Sequence, residues 1–188
     1  FLTLQERYIE LGVPYRRGYL FHGPPGNGKT SLVLALASHL QRSVYILNLS
    51  HVKGDGALIQ LIAGVPPGAF VLLEDIDCAF KNRDQIDPER VTLSGLLNAL
   101  DGIASSSGRL LFMTTNFPDK LDPALVRPGR IDFKYEFKNA STEQAGCLFK
   151  RFFPLASDKE IEMFTSHYPD GCHSMATIQS HLLSTFAK

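Results

Sequence analysis

The sequence predicts an α/β protein in which a parallel sheet with flanking helices is followed by a small helical lid. Short apolar segments alternate with longer helical ones up to residue 139, and strands separated by such helices require crossover connections in a parallel sheet. Beyond residue 139 no further strand is predicted. We therefore expect an α/β body over residues 1–139 and a C-terminal helical lid over residues 140–188.

The elements of the body follow from hydrophobic periodicity and from the turn residues that bound them. Strands are predicted where short apolar runs occur, at residues 18–22, 44–49, 69–73, 110–115 and 132–137. Helices are predicted where apolar residues recur with helical spacing, at residues 4–11, 30–40, 56–63 and 91–100. The run 69–73 is apolar throughout, which is typical of a central parallel strand. The helix over 30–40 is apolar nearly all round, so we expect it to pack between layers.

The remaining segments are a charged stretch and the lid. Residues 81–90 are rich in charge and are predicted to form a mobile loop. In the lid, helices are predicted at 142–153, 158–167 and 174–186.

Composition and charge limit the classes of partner. The chain has 188 residues, of which 44% are apolar and 20% charged, as in an ordinary soluble globular protein. Lys plus Arg and Asp plus Glu number 19 each, and this zero net charge leads us to expect no nucleic-acid partner. The chain starts at Phe1 without an initiator Met, so we expect a fragment whose membrane anchor, if any, lies outside it.

A glycine-rich loop lies between the predicted strand at 18–22 and the predicted helix at 30–40. It matches the pattern G-x-x-x-x-G-K-[ST], in which glycines let successive N–H groups point at one anion and the following helix adds its positive end. Lys29 is expected to reach the β- and γ-phosphates, and Thr30 to offer its hydroxyl to Mg²⁺. The residues expected to bind the nucleotide, ATP with Mg²⁺, are Gly23, Pro24, Pro25, Gly26, Asn27, Gly28, Lys29, Thr30 and Ser31. The loop therefore predicts a P-loop NTPase sheet.

An acidic segment comes directly after the apolar strand at 69–73. Carboxylates at the C-terminal end of such a strand lie in the crevice where open α/β sheets bind ligands. Of Glu74 and Asp75, one is expected to hold Mg²⁺ and the other to orient or deprotonate the attacking water. With the phosphate loop, this segment predicts an enzyme that hydrolyses ATP to ADP and phosphate.

These motifs, together with the segments that follow, resemble the AAA family of ATPases over nearly the whole chain. Asn116, at the end of the predicted strand 110–115, matches the polar residue that senses the γ-phosphate and holds the lytic water in that family. Residues 121–132, which read Leu-Asp-Pro-Ala-Leu-Val-Arg-Pro-Gly-Arg-Ile-Asp, resemble its second homology region. The resemblance implies that Arg127 and Arg130 act as fingers on the nucleotide of a neighbouring subunit, and hence that the chain forms a homo-oligomeric ring. Planar guanidinium groups suit the charge that spreads over a transferring phosphoryl group.

A narrower resemblance is to one branch of the family, the mitochondrial inner-membrane chaperones that assemble the cytochrome bc1 complex (respiratory complex III). It rests on residues 12–20, 73–77, 94–102 and 112–116. The resemblance implies a translocase that moves the folded Rieske iron–sulfur protein as its cargo. It also implies an ATPase domain facing the matrix, in a longer protein that is anchored in the inner membrane outside this fragment.

The chain departs from most AAA proteins at two points. The acidic pair reads Glu then Asp instead of Asp then Glu, so by position Glu74 is expected to serve the metal and Asp75 the water. Asp is one methylene shorter than Glu, but this order matches the complex III branch. Residues 50–56, where peptide-threading members carry an aromatic pore loop, contain no aromatic residue, and this fits a protein that moves folded cargo.

Two alternative functions remain open from the sequence. The shorter Asp75 allows a nucleotide-gated scaffold with negligible hydrolysis. A DNA-associated AAA+ loader is the other, although a basic stripe would be expected there and the net charge is zero.

Overall fold

The computed structural model describes residues 1–78, 90–104 and 108–186. The helices are α1 (Gln5–Glu10), α2 (Lys29–His39), α3 (Gly54–Ala63), α4 (Leu93–Ala104), α5 (Thr142–Phe152), α6 (Asp158–Thr165) and α7 (Met175–Phe186). The strands are β1 (Arg17–His22), β2 (Val44–Leu47), β3 (Phe70–Leu73), β4 (Leu110–Thr115) and β5 (Phe133–Glu136). Short 3-10 turns occupy Leu49–His51 and Pro118–Lys120. The mobile loop predicted at 81–90 lies outside the described residues, apart from Arg90.

The five strands form one sheet in the order β2-β3-β4-β1-β5. Strands β2 and β3, β3 and β4, and β1 and β4 pair in parallel. Helices α2, α3 and α4 lie between consecutive strands from β1 to β4 and provide the crossovers that these parallel pairings require. The predicted α/β class, a parallel sheet with flanking helices followed by a helical region, is confirmed.

The described residues divide into two compact units. Unit 1 comprises Phe1–His22 and Thr30–Tyr135, and unit 2 comprises Gly23–Lys29 and the described residues from Glu136 onward. The segment Gly23–Lys29 is thus grouped with C-terminal residues, although it lies early in the sequence. The domain boundary predicted at residue 139 stays a prediction.

The main core of unit 1 lies where strands meet helices α3 and α4. Strands β3 and β4 are buried along their whole length, as predicted for a central strand at 69–73. The fully buried side chains of this core include Leu58, Val71, Leu73, Leu96 and Met113. Each such side chain contributes about 1.5–3 kcal/mol on leaving water, so this cluster holds β3 and β4 firmly in register.

Helix α2 is less buried than its composition predicts. Its buried apolar side chains are Val33 and Ala37, which lie one turn apart on one face. Leu32 and Leu34 are 41% and 43% exposed. The expectation of packing between layers is therefore wrong: the helix buries a single narrow stripe, and small or apolar residues fill its exposed side.

Helix α4 begins later than residue 91 because of a capping contact that the periodicity does not show. Thr92 precedes the first helical residue, and its Oγ1 accepts the N–H of Gly95 at 2.9 Å. Asp55, in the first turn of α3, accepts both the N–H and the hydroxyl of Thr92 at 2.7 Å each. The two helices therefore share one polar junction at their N-termini.

Unit 2 has a smaller core of its own. Ala145, Tyr168, Ile178 and Leu182 are buried there among helices α5 to α7. Ser141 and Ser157 each begin a helix with a capping box, in which the serine side chain and the side chain three residues later exchange hydrogen bonds with the backbone. In the part of the chain that is described, no helix is long and apolar enough to cross a membrane.

Gly18 lies where strand β1 closely approaches the segment before β5. A Cβ placed on Gly18 would lie 1.7 Å from the backbone oxygen of Arg130. The three nearest atoms that this Cβ would meet all belong to the backbone of Arg130 and Ile131. Gly18→Ala is therefore expected to lower the free energy of unfolding by at least about 2 kcal/mol in urea denaturation. The matched control is Gly56→Ala in helix α3, where no atom lies within 4 Å of the added Cβ. That change is expected to raise stability by about 0.5–1 kcal/mol, and equal stability of the two variants would contradict the contact.

Candidate active site

The predicted site residues fall in both units. Thr30, Ser31, Glu74, Asp75, Asn116, Arg127 and Arg130 belong to unit 1, and Gly23 to Lys29 belong to unit 2.

In unit 1, Thr30 and Glu74 meet directly. Thr30, in the first turn of α2, donates its Oγ1 hydroxyl to Oε1 of Glu74 at 2.7 Å. Glu74 is half-buried at the carboxyl end of β3. A hydroxyl and a carboxylate oxygen side by side are hard oxygen ligands, so this pair fits a magnesium ion.

The acidic residues that the structure describes do not form a closed metal site. Among the residues that the structure describes, no group of three or more His, Cys, Asp or Glu side chains is placed to hold a metal ion. This is compatible with magnesium at a phosphate site, because Mg²⁺ keeps several waters and takes oxygens from the substrate phosphates. The protein then needs to supply one or two ligands.

Asp75 has an unusual backbone conformation. Its φ is 46°, in the left-handed region that Asp tolerates better than most residues. Its N–H donates to Oγ1 of Thr114 at 3.1 Å, and its Oδ1 accepts from Nδ2 of Asn116 at 3.4 Å. The turn therefore leaves the carboxylate exposed and beside an amide, so that one water can contact both an acceptor and a donor.

Sequence reasoning gave no role to Asp77, which proves central to this turn. Its side chain is 4% exposed, and its Oδ1 accepts the hydroxyl of Thr115 at 2.7 Å and the N–H of Asn116 at 3.4 Å. Asp77 thus ties the residues after β3 to the end of β4 and fixes the backbone of Asn116. The signal in the sequence was a third carboxylate, two residues beyond Asp75, to which neither the metal role nor the water role applied.

In unit 2, the phosphate loop folds around its own lysine. Lys29 is 8% exposed, and its ammonium donates to the carbonyl oxygens of Gly23 and Pro24 at 2.7 and 2.9 Å. Gly23, Gly26 and Gly28 all have positive φ, as the pattern predicts for a loop that turns its N–H groups inward. The lysine therefore lies under the loop, where a point charge can attract a phosphate group.

The two predicted finger arginines differ in their surroundings. Arg127 is exposed. Arg130 donates from Nε and Nη2 to the two carboxylate oxygens of Asp101 at 3.0 and 2.7 Å, and from Nη1 to the carbonyl of Ala124 at 2.6 Å. Its side chain is 17% exposed. The guanidinium of Arg130 is therefore engaged within its own subunit.

Asp101 is the single acidic residue of the segment 94–102 and had no predicted role. The hydrogen bond from Arg130 lowers the pKa of the Asp101 carboxyl, burial opposes this, and the charges of Arg130 and Arg16 lower it further. The same pairing raises the pKa of Arg130. Helix α4 and the segment before β5 are thus joined by an ionised, bidentate pair.

The structure brings two pairs of predicted residues together in unit 1. Thr30 contacts Glu74, and Asp75 contacts Asn116. The hydrogen bonds of Arg130 run to Asp101 and Ala124. Ser31 is exposed on α2 beside Thr30.

Comparison with known proteins identifies the class to which this fold and these residues belong. The family model described as "ATPase family associated with various cellular activities (AAA)" matches residues 19–139. The chain belongs to the AAA family of ATPases, whose membership implies nucleotide binding. A second model, "Mitochondrial chaperone BCS1-like, ATPase lid domain", matches residues 142–185.

The particular proteins that the chain resembles are mitochondrial chaperones named BCS1. It is 53% identical over 185 residues to the probable mitochondrial chaperone bcs1 of Schizosaccharomyces pombe, covering 95% of this chain and 41% of that protein. It is 44% identical over 196 residues to mitochondrial chaperone BCS1 of Danio rerio, covering 97% and 46%. For BCS1 of Homo sapiens the identity is 44% over 176 residues, covering 89% and 42%. The chain thus spans less than half the length of these relatives, and the resemblance seen in the sequence is confirmed.

The Asp101–Arg130 pair predicts a pH-dependent contribution to stability. Because the folded-state pKa of Asp101 lies below its unfolded value of about 4, the contribution is present at neutral pH and is lost as the pH falls through the folded pKa. Asp101→Asn is therefore expected to cost about 0.5–1 kcal/mol at pH 7, with a smaller difference from wild type in acid, in urea unfolding at several pH values.

The control for this pair is Glu10→Gln at the Arg7–Glu10 pair, whose side chains are 65% and 64% exposed. It is expected to change stability by less than about 0.3 kcal/mol. A cost for Asp101→Asn that stays constant from neutral to strongly acidic pH would contradict the assignment.

Proposed function

We propose that this chain is the ATP-hydrolysing AAA motor domain of a ring-forming mitochondrial chaperone or translocase. The observation that carries the proposal is the placement of Thr30 against Glu74, with Asp75 against Asn116 at the adjacent strand end. These contacts join a hydroxyl, two carboxylates and an amide, the groups that metal-assisted attack of water on a phosphoryl group requires. Similarity to proteins named mitochondrial chaperone BCS1 supports the chaperone role.

The phosphate loop is proposed to bind ATP. Residues 23–28 would surround the phosphates with backbone N–H groups, Lys29 would neutralise part of their charge, and Ser31 would extend the polar lining. Thr30 and Glu74 would hold Mg²⁺, with Glu74 acting through the water shell of the ion. The ion, when bound, supplies positive charge to the phosphate oxygens.

Asp75 and Asn116 are proposed to handle the attacking water. The carboxylate of Asp75 would accept a proton from the water, and the amide of Asn116 would orient it toward the γ-phosphate. The left-handed turn at Asp75 and the buried Asp77 hold these two groups in place before any substrate binds. Because these groups are already in place, the shorter side chain of Asp is a smaller obstacle to hydrolysis.

Arg127 and Arg130 are proposed to act on the nucleotide of the neighbouring subunit in a homo-oligomeric ring. Arg127 is exposed and can make such a contact as it stands. Arg130 would first have to exchange the carboxylate of Asp101 for phosphate oxygens. Turnover is therefore proposed to need assembly, since the monomer lacks its neighbour's arginines.

The cargo and location are proposed from the resemblance to the branch. The cargo would be the folded Rieske iron–sulfur protein during assembly of respiratory complex III. The longer protein would be anchored in the mitochondrial inner membrane with this domain facing the matrix, and no nucleic acid would be bound. The names of the relatives support the mitochondrial setting.

The role of Asp75 can be tested by Asp75→Asn, which keeps the size of the side chain and a residue type that tolerates the left-handed turn. Because the amide cannot accept the proton, turnover should fall by about 10²- to 10⁴-fold in a steady-state phosphate-release assay on assembled protein. ATP affinity should stay within about threefold of wild type. The matched control, Asp119→Asn at an exposed carboxylate, should leave both unchanged.

Undiminished hydrolysis in Asp75→Asn would remove the role given to Asp75. Nucleotide binding without turnover in the assembled wild-type protein would instead favour the scaffold alternative. Salt-dependent binding to DNA would favour the loader alternative.

The finger role can be tested by mixing two inactive variants, Arg127→Ala and Asp75→Asn. If Arg127 acts on the neighbour, a mixed ring contains sites with an intact Asp75 on one side and an intact Arg127 on the other, about a quarter of all sites at equal mixing. Phosphate release should therefore recover to about that fraction on mixing. No recovery on mixing would mean that Arg127 acts within its own subunit, and repeating the test with Arg130→Ala separates the two arginines.

A further inference from the structure

Asn27 of the phosphate loop is a buried polar residue that the proposed chemistry does not use. It is 9% exposed, in the middle of a loop whose two preceding prolines and neighbouring Gly26 are exposed. Its Oδ1 accepts the N–H of Met175 at 3.2 Å. Its Nδ2 donates to Oδ1 of Asn139 at 3.0 Å and to the carbonyl of Pro24 at 3.4 Å.

The orientations of the two amides are dictated by their partners. The N–H of Met175 requires an oxygen, so the Oδ1 of Asn27 must face it. The Nδ2 of Asn27 then faces Asn139, which must present its own Oδ1. The Nδ2 of Asn139 is left to donate to the carbonyl of Gly171, at 3.0 Å. Flipping either amide would place two donors or two acceptors opposite each other. The series of hydrogen bonds from Met175 through Asn27 and Asn139 to Gly171 therefore has a single consistent arrangement.

These contacts satisfy the exposed N–H groups at the start of helix α7. The first N–H groups of a helix have no partner within it. Here Met175 donates to Asn27, and Ala176 donates to the carbonyl of Gly26 at 3.0 Å. Ser174 takes the next two, with its Oγ accepting the N–H of Thr177 and its carbonyl that of Ile178, each at 3.2 Å. The phosphate loop therefore caps the first two helical residues of α7.

The loop and the start of helix α7 also pack closely against each other. A Cβ added to Gly26 would meet the Cβ of Ala176 and the Oγ of Ser174 at 3.0 Å each. Small residues are therefore needed at both positions. The loop and the first turn of α7 form one tightly packed and hydrogen-bonded junction.

We infer that Asn27 and Asn139 are positioning residues that couple the phosphate loop to the first turn of helix α7. A phosphate group bound by the loop N–H groups restricts the motion of the loop. Through the Asn27–Asn139 amide pair, this restriction stabilises the hydrogen bond that the N–H of Met175 donates to Asn27. This inference rests on the proposed binding of nucleotide by the loop.

The coupling can be tested by hydrogen exchange on the full 188-residue chain with and without ADP. ADP should slow exchange in a peptide covering residues 173–178 by about tenfold in wild type, because bound phosphate stabilises the loop that caps those amides. In Asn139→Ala the slowing should fall below about twofold. Affinity for a fluorescent ADP analogue should stay within about threefold in this variant, since Asn139 is outside the loop that binds phosphate.

Two further variants separate coupling from general damage to unit 2. Ser184→Ala removes a hydrogen bond near the other end of α7, where Oγ of Ser184 donates to the carbonyl of His181 at 2.7 Å, and should keep the full response to ADP. Asn139→Asp keeps an oxygen for Nδ2 of Asn27 but loses the donor to the carbonyl of Gly171, so it should keep more of the response than Asn139→Ala.

An equal response in wild type and Asn139→Ala would overturn the inference, and so would a loss in Asn139→Asp as severe as in Asn139→Ala. Bound ADP without any slowing in wild type would also overturn it. If the analogue does not bind to wild type at all, the proposed function fails and the inference fails with it.

Discussion

The register between β3 and β4 is the constraint on which the rest of unit 1 depends. Leu73 lies opposite Met113, and both are fully buried. Because the strands are parallel, their carboxyl ends meet at the same edge of the sheet, and Glu74 to Asp77 come level with Thr114 to Asn116. A shift of one residue would reverse the facing of every side chain and place the carboxylates among apolar neighbours. The apolar packing of two short strands thus sets the chemistry at their ends.

Much of this arrangement could be predicted from the sequence, because it depends on local pattern. Continuous apolar runs predict the buried strands, glycines with a following lysine predict the phosphate loop, and carboxylates directly after a strand predict the acidic edge. The features that were missed are contacts between distant segments. Asp77 serves the end of β4, Asp101 holds Arg130, and Asp55 caps the start of α4. An Asp carries the same letter whether it faces water, a metal or a backbone N–H, so its partner cannot be predicted without the fold. The prediction that helix α2 packs between layers was wrong for a related reason, because apolar composition alone does not show how many sides of a helix are covered.

The engagement of Arg130 within its own subunit bears on how neighbouring sites could communicate. A bidentate pair with Asp101 holds the segment before β5 against α4, while Arg127, three residues earlier, stays exposed. For Arg130 to meet a neighbour's phosphate, the gain from the phosphate must exceed the loss of this pair and of the bond to Ala124. Phosphate carries more negative charge than one carboxylate, so the exchange is favoured when the γ-phosphate is present and less so after its release. In the proposed ring, the two arginines would therefore differ in function: Arg127 would be ready for contact, and Arg130 would respond to the nucleotide that the neighbour holds.

The phosphate loop in unit 2 also combines two sets of contacts in one short segment. Its glycines have positive φ, which allows its N–H groups to turn toward an anion, while its Gly26 carbonyl and the side chain of Asn27 contact helix α7. The same short loop thus donates to one partner and accepts from another, and neither set of groups can move far without disturbing the other. A loop with a threonine or serine in place of Asn27 would keep the phosphate-binding backbone, but it would lack an amide that both accepts from Met175 and donates to Asn139. Asn27, at one of the four positions that the phosphate pattern leaves unspecified, therefore links this loop to the helices of its unit.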